Sequence, residues 1–325
     1  MKKLRPRLIS IPLVLSLPAG AQVELKHFWN FEDPDLGLDV AGEINGTLSD
    51  PTNVNAEPGH SASSTAAFFP IPTGGDADRI PLAGDTLFQP EDTAFSISYW
   101  IKMPNDGTTD PRGIFDFSSN GDIGVQSLFI GTTGELAFRI DFATDGFALV
   151  KIADNLEDDK WHFVVATYDP ASGLEVHLDG FGSDGSSPNT GEVSFNSDSY
   201  LGSFNFTGAS ANKGLGGNLD DFAIYSGKLE ETQIASLFEK TVSPLDFLPI
   251  DPESTLAITS VVPSLERSVI TWPSVAGTTY SIWQSPDLEN WFELDDAIDG
   301  TNDPVSYTHE FLEMPERIFY RISIN

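Results

Sequence analysis

The sequence contains no cysteine and is poor in basic residues. The absence of Cys from its 325 residues excludes disulfides, thiolate metal sites and thiol nucleophiles. Lys and Arg number 17 against 49 Asp and Glu, which gives a formal net charge of −32 at pH 7. A surface this acidic repels nucleic acid and anionic membranes and attracts cations. We therefore expect no nucleic-acid partner, and a fold whose stability depends on packing alone.

Apolar runs long enough to span a membrane are also missing. The run Leu8–Leu17 is interrupted by Pro12 and is too short to cross a bilayer. It follows the basic residues 1–7 and precedes the small residues 19–21, which is the order typical of secretory signal peptides. The sequence therefore predicts a signal peptide over residues 1–21, no membrane span, and a secreted or cell-surface protein.

The chain consists instead of short alternating segments separated by turns. Residues 94–102 and 160–168 alternate with period two, and residues 169–173 connect the second segment to the alternating run 174–178. This pattern predicts a β-hairpin in which His177 lies opposite Val165. About a dozen such segments precede one helical pattern over residues 229–240. Many short strands with turns between them favour an all-β sandwich.

A proline-containing stretch separates two groups of predicted strands. Residues 244–254 include three prolines and show no alternation, so they are interpreted as a linker. The predicted domains are therefore 22–243 and a small β-sandwich over 255–325. The aromatic residues of the smaller domain are expected in its core; they are Trp272, Trp283, Trp291 and Phe319.

Three motifs follow one another along the larger domain: AFSISYWIK, then WHFVVATYD with LEVHLDG, then GNLDDFAIYSGKLEETQIASLF. In this order they resemble the laminin-G-like, concanavalin A-like lectin/glucanase superfamily, in its bacterial, exported branch. The resemblance covers residues 24–240 and implies a jelly-roll β-sandwich of two antiparallel sheets. The segments YSIWQSPDLENWFEL and RIFYRISI resemble a short fibronectin-III-like module. Neither fold is tied to one chemistry.

The superfamily includes laminarinase-type glycoside hydrolases, so a catalytic site has to be considered. Their catalytic strand reads E-x-D-x-x-E, which places two carboxylates on one face of a sheet. No stretch of this sequence supplies that motif, and no G-x-S-x-G, H-E-x-x-H or P-loop motif is present. We therefore expect a binding or adhesion protein and not an enzyme. A glycoside hydrolase or lyase with an atypical site is the minority alternative.

Acidic residues occur after the first predicted strand, at Glu32 and Asp39, and within the last one, at Asp220. The resemblance implies that the first and last strands lie close together, so these acids would converge. Calcium prefers six to eight oxygen ligands, which carboxylates and Asp/Gly turns supply. The sequence therefore suggests a Ca²⁺ site at Glu32, Asp39 and Asp220. The alternative is that they are turn formers and solvated charges.

A carbohydrate site is the second candidate. Lectin-like sites stack a sugar on an aromatic ring and bind its hydroxyls through short polar side chains. The rings suggested for this are Trp100 and Phe181, and the polar side chains are Asn189, Asn205 and Asn212. For Trp100, a structural role is the alternative. The predicted partner is an extracellular polysaccharide. The other reading is a structural or surface-display protein that contacts matrix or cell-surface proteins.

Overall fold

The computed structural model divides the chain between Leu248 and Pro249 into two units. The predicted signal peptide, residues 1–21, and the predicted site residues Asn205 and Asn212 lie outside the part of the chain that the structure describes. The described residues are 23–32, 34–48, 53–71, 78–83, 94–107, 111–118, 124–130, 133–143, 146–152, 156–193, 198–204, 213–249, 256–264, 266–311 and 317–325.

The first unit is a jelly-roll β-sandwich. Its larger sheet has the strand order β12-β11-β10-β5-β16-β3-β2, and β1 also pairs with β16. The strands of this sheet are β1 (Glu24–Trp29), β2 (Asn55–Pro58), β3 (Thr65–Phe69), β5 (Phe95–Lys102), β10 (Trp161–Asp169), β11 (Gly173–Leu178), β12 (Phe181–Ser187) and β16 (Gly217–Ser226). All of these pairings are antiparallel.

The second sheet of the sandwich has six strands in the order β4-β13-β6-β7-β8-β9. These strands are β4 (Ile80–Ala83), β6 (Arg112–Ser118), β7 (Gly124–Ile130), β8 (Glu135–Asp141), β9 (Phe147–Ile152) and β13 (Asp198–Leu201). A two-stranded ribbon, β14 (Ser203–Phe204) and β15 (Lys213–Gly214), lies beside β6.

The main core of this unit contains side chains from both sheets. Strand β5 contributes Phe95, Ile97, Tyr99 and Ile101, which alternate along it with residues of the opposite face. The ring of Phe222 stacks on Tyr99 at 5.7 Å between centroids and meets Phe115 of the six-stranded sheet edge-on at 5.2 Å. The sequence prediction of an all-β, jelly-roll architecture is therefore confirmed.

The predicted hairpin is confirmed in its register. Strands β10 and β11 pair with Val165 opposite His177, and Asp169 opposite Gly173. Gly173 has φ +89°, a conformation that glycine adopts without steric cost, so the short link from Pro170 can close the turn.

One helix covers the outer face of the larger sheet. Helix α1 (Glu231–Phe238) begins with a capping box between Glu230 and Gln233. Its apolar residues Ile234 and Leu237 pack on a second apolar cluster that includes Trp100, Phe163 and Tyr225. Helical periodicity over residues 229–240 predicts this element within two residues at either end.

A 3₁₀ helix, Pro244–Phe247, follows α1 and belongs to the same unit. Phe247 meets Tyr225 edge-on at 5.5 Å between ring centroids. The first four residues of the predicted linker 244–254 are therefore folded against the jelly roll, because Phe247 completes the apolar cover of the sheet.

The second unit contains two three-stranded antiparallel sheets. One has the order β17 (Ser260–Pro263), β18 (Arg267–Trp272), β21 (Val305–Glu310), and the other β20 (Phe292–Asp299), β19 (Thr279–Ser285), β22 (Phe319–Ile324). Its buried core consists of Ile270, Trp272, Tyr280 and Ile282.

The expectation that all the large aromatic residues of this unit lie in the core is wrong. Trp283 follows Ile282 on the same strand and therefore projects from the opposite face. The guanidinium of Arg321 lies over the ring of Trp283 at 5.1 Å and over that of Trp291 at 4.8 Å. Only Trp272 is fully buried among the three tryptophans.

No helix in the described part of the chain combines the length and the apolar character that a bilayer crossing requires.

Candidate functional site

A cleft of about 430 Å³ opens between the outer face of the larger sheet and the segment that runs from α1 into the 3₁₀ helix. Strand β5 contributes Ser98 and Trp100, and strand β16 contributes Asp221. The connection between β2 and β3 supplies His60 and three serines, and Lys240 follows the helix. The cleft therefore combines hydroxyls, charged groups and the edge of an apolar cluster.

A buried histidine–aspartate pair forms one wall. His60 Nδ1 lies 2.7 Å from Asp220 Oδ2, and the backbone N–H of His60 donates to the same oxygen at 3.0 Å. Ser64 Oγ donates to it at 3.3 Å, and the backbone N–H of Asp221 donates to Asp220 Oδ1 at 2.9 Å. Both oxygens of Asp220 are therefore occupied, and the carboxylate holds the loop against strand β16.

Gly59 permits this close approach. A Cβ atom placed on it would lie 2.5 Å from Asp220 Oδ2 and 2.3 Å from Ser64 Oγ. Any side chain at this position would push the loop away from the carboxylate, so the Gly59-His60 pair is a packing requirement of the site.

Asp221 is turned into the cleft by an irregularity in strand β16. The pairing of β16 with β5 shifts between Asp220 and Ala223, and Asp221 has φ +46°, a left-handed conformation that Asp tolerates better than most residues. Burial raises the pKa of Asp221 to about 8, helped by the negative charges of Asp220 and Glu32, while Lys240 acts in the opposite direction. A carboxyl group with this pKa is easily neutralised by a proton or a cation.

Trp100 is a structural member of this site and not an open stacking surface. It is only 8% exposed. Its ring stacks on His60 at 4.5 Å and on Phe238 of α1 at 5.8 Å, and Lys240 Nζ lies 5.1 Å from its centroid. Trp100 is therefore enclosed, and the predicted role as a sugar platform is replaced by one in joining sheet, loop and helix.

Of the other predicted carbohydrate residues, Asn189 does not line this cleft. Asn189 is exposed, and its Nδ2 donates to the backbone carbonyl of Phe147 at 2.8 Å. Phe181 is the first residue of β12, and the structure describes only the backbone of this residue. Asn205 and Asn212 lie outside the described residues, so their roles stay predictions.

The predicted calcium ligands are not brought together as a set. Asp39 Oδ1 accepts the backbone N–H groups of Phe28 and Gly42, both at 2.9 Å, and its Oδ2 lies 2.7 Å from His27 Nδ1. Asp39 therefore holds its own loop and is not among the groups that converge on Asp220. Glu32 does line the cleft beside Asp221, whereas Asp220 faces His60.

The residue of this candidate site that sequence reasoning missed is His60. It is one of five scattered histidines, and it lies 160 residues from its partner Asp220. The only sequence signal is its position in a Ser-rich segment before a short apolar strand. The contact depends on the pairing of β3 with β16, which no local pattern predicts.

Several solved structures resemble this one in fold. The binding domain of Paraclostridial Mosquitocidal Protein 1 aligns with a TM-score of 0.53 and 16% identity over 80% of this chain and 57% of that one. The binding domain of botulinum neurotoxin serotype D aligns with a TM-score of 0.51 and 12% identity over 84% of this chain and 62% of that one. The chain thus spans somewhat more than half of the first of these domains, and at such identities the likeness concerns the fold alone.

Comparison with curated protein sequences gives no match. The laminin G family model that is described as the concanavalin A-like lectin/glucanases superfamily matches residues 74–235. That range runs from the connection before β4 to the middle of α1 and includes both central strands of the cleft, β5 and β16. Residues 74–235 of this chain are therefore a domain of the concanavalin A-like lectin/glucanase superfamily.

Proposed function

We propose that this is an exported, non-catalytic binding protein whose jelly-roll unit holds a neutral or cationic saccharide in the cleft beside Asp221. The observation that carries the proposal is the lining of that cleft. Ser61, Ser63 and Ser64 line this space of about 430 Å³ together with the acidic residues Asp221 and Glu32. Short hydroxyls and carboxylates are the groups that hydrogen-bond sugar hydroxyls.

The charge of the cleft selects among saccharides. Glu32 and Asp221 are opposed by Lys240, and the whole chain has a net charge of −32. Sulfated or uronate-rich chains would be repelled, whereas neutral and amino sugars would not. A shallow, hydrated site of this kind gives affinities in the millimolar to micromolar range, about −4 to −8 kcal/mol.

The test is calorimetric titration of the full chain with neutral β-glucans, galactans and chitin-derived amino sugars. Ser63→Trp would fill the cleft, and Ala62→Trp, at an exposed position one residue away and outside the lining, is the matched control. We expect Ser63→Trp to abolish binding and Ala62→Trp to retain it. Equal binding by both variants would place the ligand elsewhere, and release of shorter oligosaccharides would overturn the non-catalytic assignment.

Export is part of the proposal and has its own test. It is supported by the order of basic, apolar and small residues over 1–21. N-terminal sequencing of protein from the culture medium should begin at Gln22. Protein that keeps Met1 and stays inside the cell would contradict it.

A second candidate function, contact with a matrix or cell-surface protein, is favoured by one feature of the C-terminal unit. Leu288, in a turn held by Asp287, and Phe292, the first residue of β20, are 57% and 56% exposed. Hydrogen bonds from Asn290, backbone first and then side chain, lower the pKa of Asp287 to about 2. If this function is correct, Phe292→Asp should reduce binding to immobilised matrix proteins and leave saccharide binding unchanged.

A further inference from the structure

The unusual group in the cleft is the imidazole of His60. Its side chain is only 6% exposed, yet it lines the cleft wall. Nδ1 is committed to Asp220 at 2.7 Å. In the described part of the chain, no hydrogen bond reaches Nε2, and the acidic oxygen that faces it is Asp221 Oδ2 at 3.6 Å. One ring nitrogen of this largely enclosed side chain is thus left facing Asp221 without a hydrogen bond.

The distance of 3.6 Å between His60 Nε2 and Asp221 Oδ2 is too long for a hydrogen bond, since N–H···O bonds measure about 2.7–3.2 Å between heavy atoms. It is close to the distance between two ligands of one tetrahedral metal ion. Zinc forms bonds of about 2.0–2.2 Å to nitrogen and carboxylate oxygen, which places two such donors about 3.4 Å apart at the tetrahedral angle. His60 Nε2 and Asp221 Oδ2 are therefore spaced as two ligands of a metal ion.

The charged groups around these two atoms also favour a bound cation. The Asp221 carboxylate accepts no hydrogen bond from any residue that the structure describes. Glu32 uses Oε1 to accept the backbone N–H of Thr65 at 3.1 Å, and Oε2 is free of such bonds within the same described part. Lys240 donates instead to the His60 carbonyl at 3.4 Å, beside the Trp100 ring. Two acidic side chains therefore face the cleft, and among the described residues neither forms an ion pair with Lys240.

We propose that the cleft binds one divalent transition-metal ion, such as Zn²⁺, through His60 Nε2 and Asp221, whose ligand atoms already lie close together, and that Glu32 of the cleft lining turns toward the ion as the third ligand. Asp220 is a positioning residue: its hydrogen bond makes Nδ1 the donor and leaves the Nε2 lone pair for the metal, as carboxylates behind metal-binding histidines do. Imidazole favours zinc and its neighbours, whereas calcium and magnesium prefer oxygen alone. Three protein ligands leave a fourth position open toward the cleft.

This site replaces the calcium set predicted from the sequence. It shares Glu32 with that set, excludes Asp39, and moves Asp220 behind the histidine. It does not depend on the saccharide proposal, because the metal is tested alone.

The experiment is titration of metal-free, full-length, tag-free protein with Zn²⁺, Co²⁺ and Ca²⁺ by calorimetry, with the visible spectrum of bound Co²⁺ as a second readout. We expect one Zn²⁺ per chain, the intense absorption of tetrahedral Co²⁺, and Ca²⁺ binding at least about tenfold weaker. Asp221→Asn should lower the Zn²⁺ affinity at least about tenfold. Asn tolerates the left-handed conformation at this position, so the variant should fold.

Asp158→Asn is the matched control. Asp158 lies 3.1 Å from His162 on another part of the sheet, so this change removes the same charge from a histidine–carboxylate pair outside the cleft. It should leave zinc binding unchanged. Glu32→Gln is a second ligand variant with the same expected loss as Asp221→Asn. The proposal is overturned if zinc does not bind stoichiometrically, if calcium binds equally well, if Co²⁺ stays octahedral, or if neither ligand variant weakens binding.

Discussion

The imidazole of His60 lies nearly parallel to the indole of Trp100, with ring planes 13° apart. Phe163 on the neighbouring strand approaches the same indole at 5.0 Å between centroids. Trp100 therefore joins the sheet, the loop before β3 and helix α1 in one aromatic stack. The loop that forms the cleft wall depends on this ring for its position.

The first prediction concerns Trp100. Trp100→Ala should lower the free energy of unfolding by about 3–5 kcal/mol, because it removes a buried ring and leaves a cavity. Trp161→Ala is the control, since Trp161 is only partly buried and meets His60 edge-on at 6.3 Å. Urea denaturation measures both. A Trp100→Ala protein as stable as the control variant would restore the role of an exposed platform.

The second prediction concerns Asp39 and calcium. Asp39→Asn removes the charge from a buried pair with His27 and should cost about 3–5 kcal/mol of stability. Glu43→Gln, an exposed substitution in the same loop, should stay within about 0.5 kcal/mol of the parent protein. Thermal melts in calcium and in EDTA should show the same loss for Asp39→Asn. A loss that appears only with calcium would show that Asp39 is a calcium ligand after all.

The third prediction concerns pH. Burial lowers the pKa of His177, against the opposing effects of the Gly182 backbone and of Glu175, Glu231 and Asp184. The unfolded chain therefore binds a proton at His177 near pH 6.5, where the folded chain does not. The contribution of the neutral, buried His177 to the free energy of unfolding is therefore fully present above about pH 6.5 and is lost as the pH falls toward the lowered pKa. His177→Gln should flatten this loss in urea denaturation between about pH 8 and pH 5.

His162 supplies the control with the opposite sign. Hydrogen bonding to Asp179, and then to Asp158, raises the pKa of His162 against the effect of burial. Its contribution is present at low pH and is lost as the pH rises through the raised pKa. His162→Gln should therefore make the decline toward acid steeper. If the two variants change the profile in the same direction, the assignment of these histidines is wrong.

The fourth prediction concerns the boundary between the units. Because Phe247 packs on Tyr225, limited digestion with a protease that cuts after glutamate should spare Glu239 and cut at Glu253. The protected fragment should extend past residue 248. Glu253→Gln should remove that cut. Early cleavage at Glu239 would mean that helix α1 is not held against the sheet.

Features that depend on neighbouring residues could be predicted from the sequence, and features that depend on distant pairing could not. The hairpin with Val165 opposite His177 follows from alternation and a five-residue link, both of which are local. The alternation of Ser98 and Trp100 with Ile97 and Tyr99 likewise separates the two faces of β5. This alternation does not indicate that α1 covers the face of β5 that carries Trp100. The sequence alone therefore does not tell whether the Trp100 ring is buried or exposed.

The candidate site likewise combines features that local sequence predicts with features that depend on distant strand pairing. Asp220 and Asp221 are adjacent in the sequence, yet they take different roles because a bulge turns only Asp221 into the cleft. Glu32 lines the same cleft as Asp221 of the last strand, and the resemblance implies such an approach because the ends of the domain meet. His60 could not be found, because its approach requires Gly59, Ser64 and a strand pairing that brings together residues 160 positions apart.

Strand β16 pairs with β1, β3 and β5 at the centre of the larger sheet, yet it is the last strand of the sandwich to be synthesised. A ribosome adding about 5–20 residues per second needs roughly 10–40 s to extend the chain from the end of β1 at residue 29 to residue 217. During that time β5, β10, β11 and β12 can already pair, and β3 can pair with β2, whereas β1 has no partner among the described strands until β16 is made. Completion of the fold therefore requires β16 to insert between β5 on one side and β1 and β3 on the other. A chain that ends before Gly217 would leave the three strand edges that β16 covers unpaired and exposed to neighbouring chains.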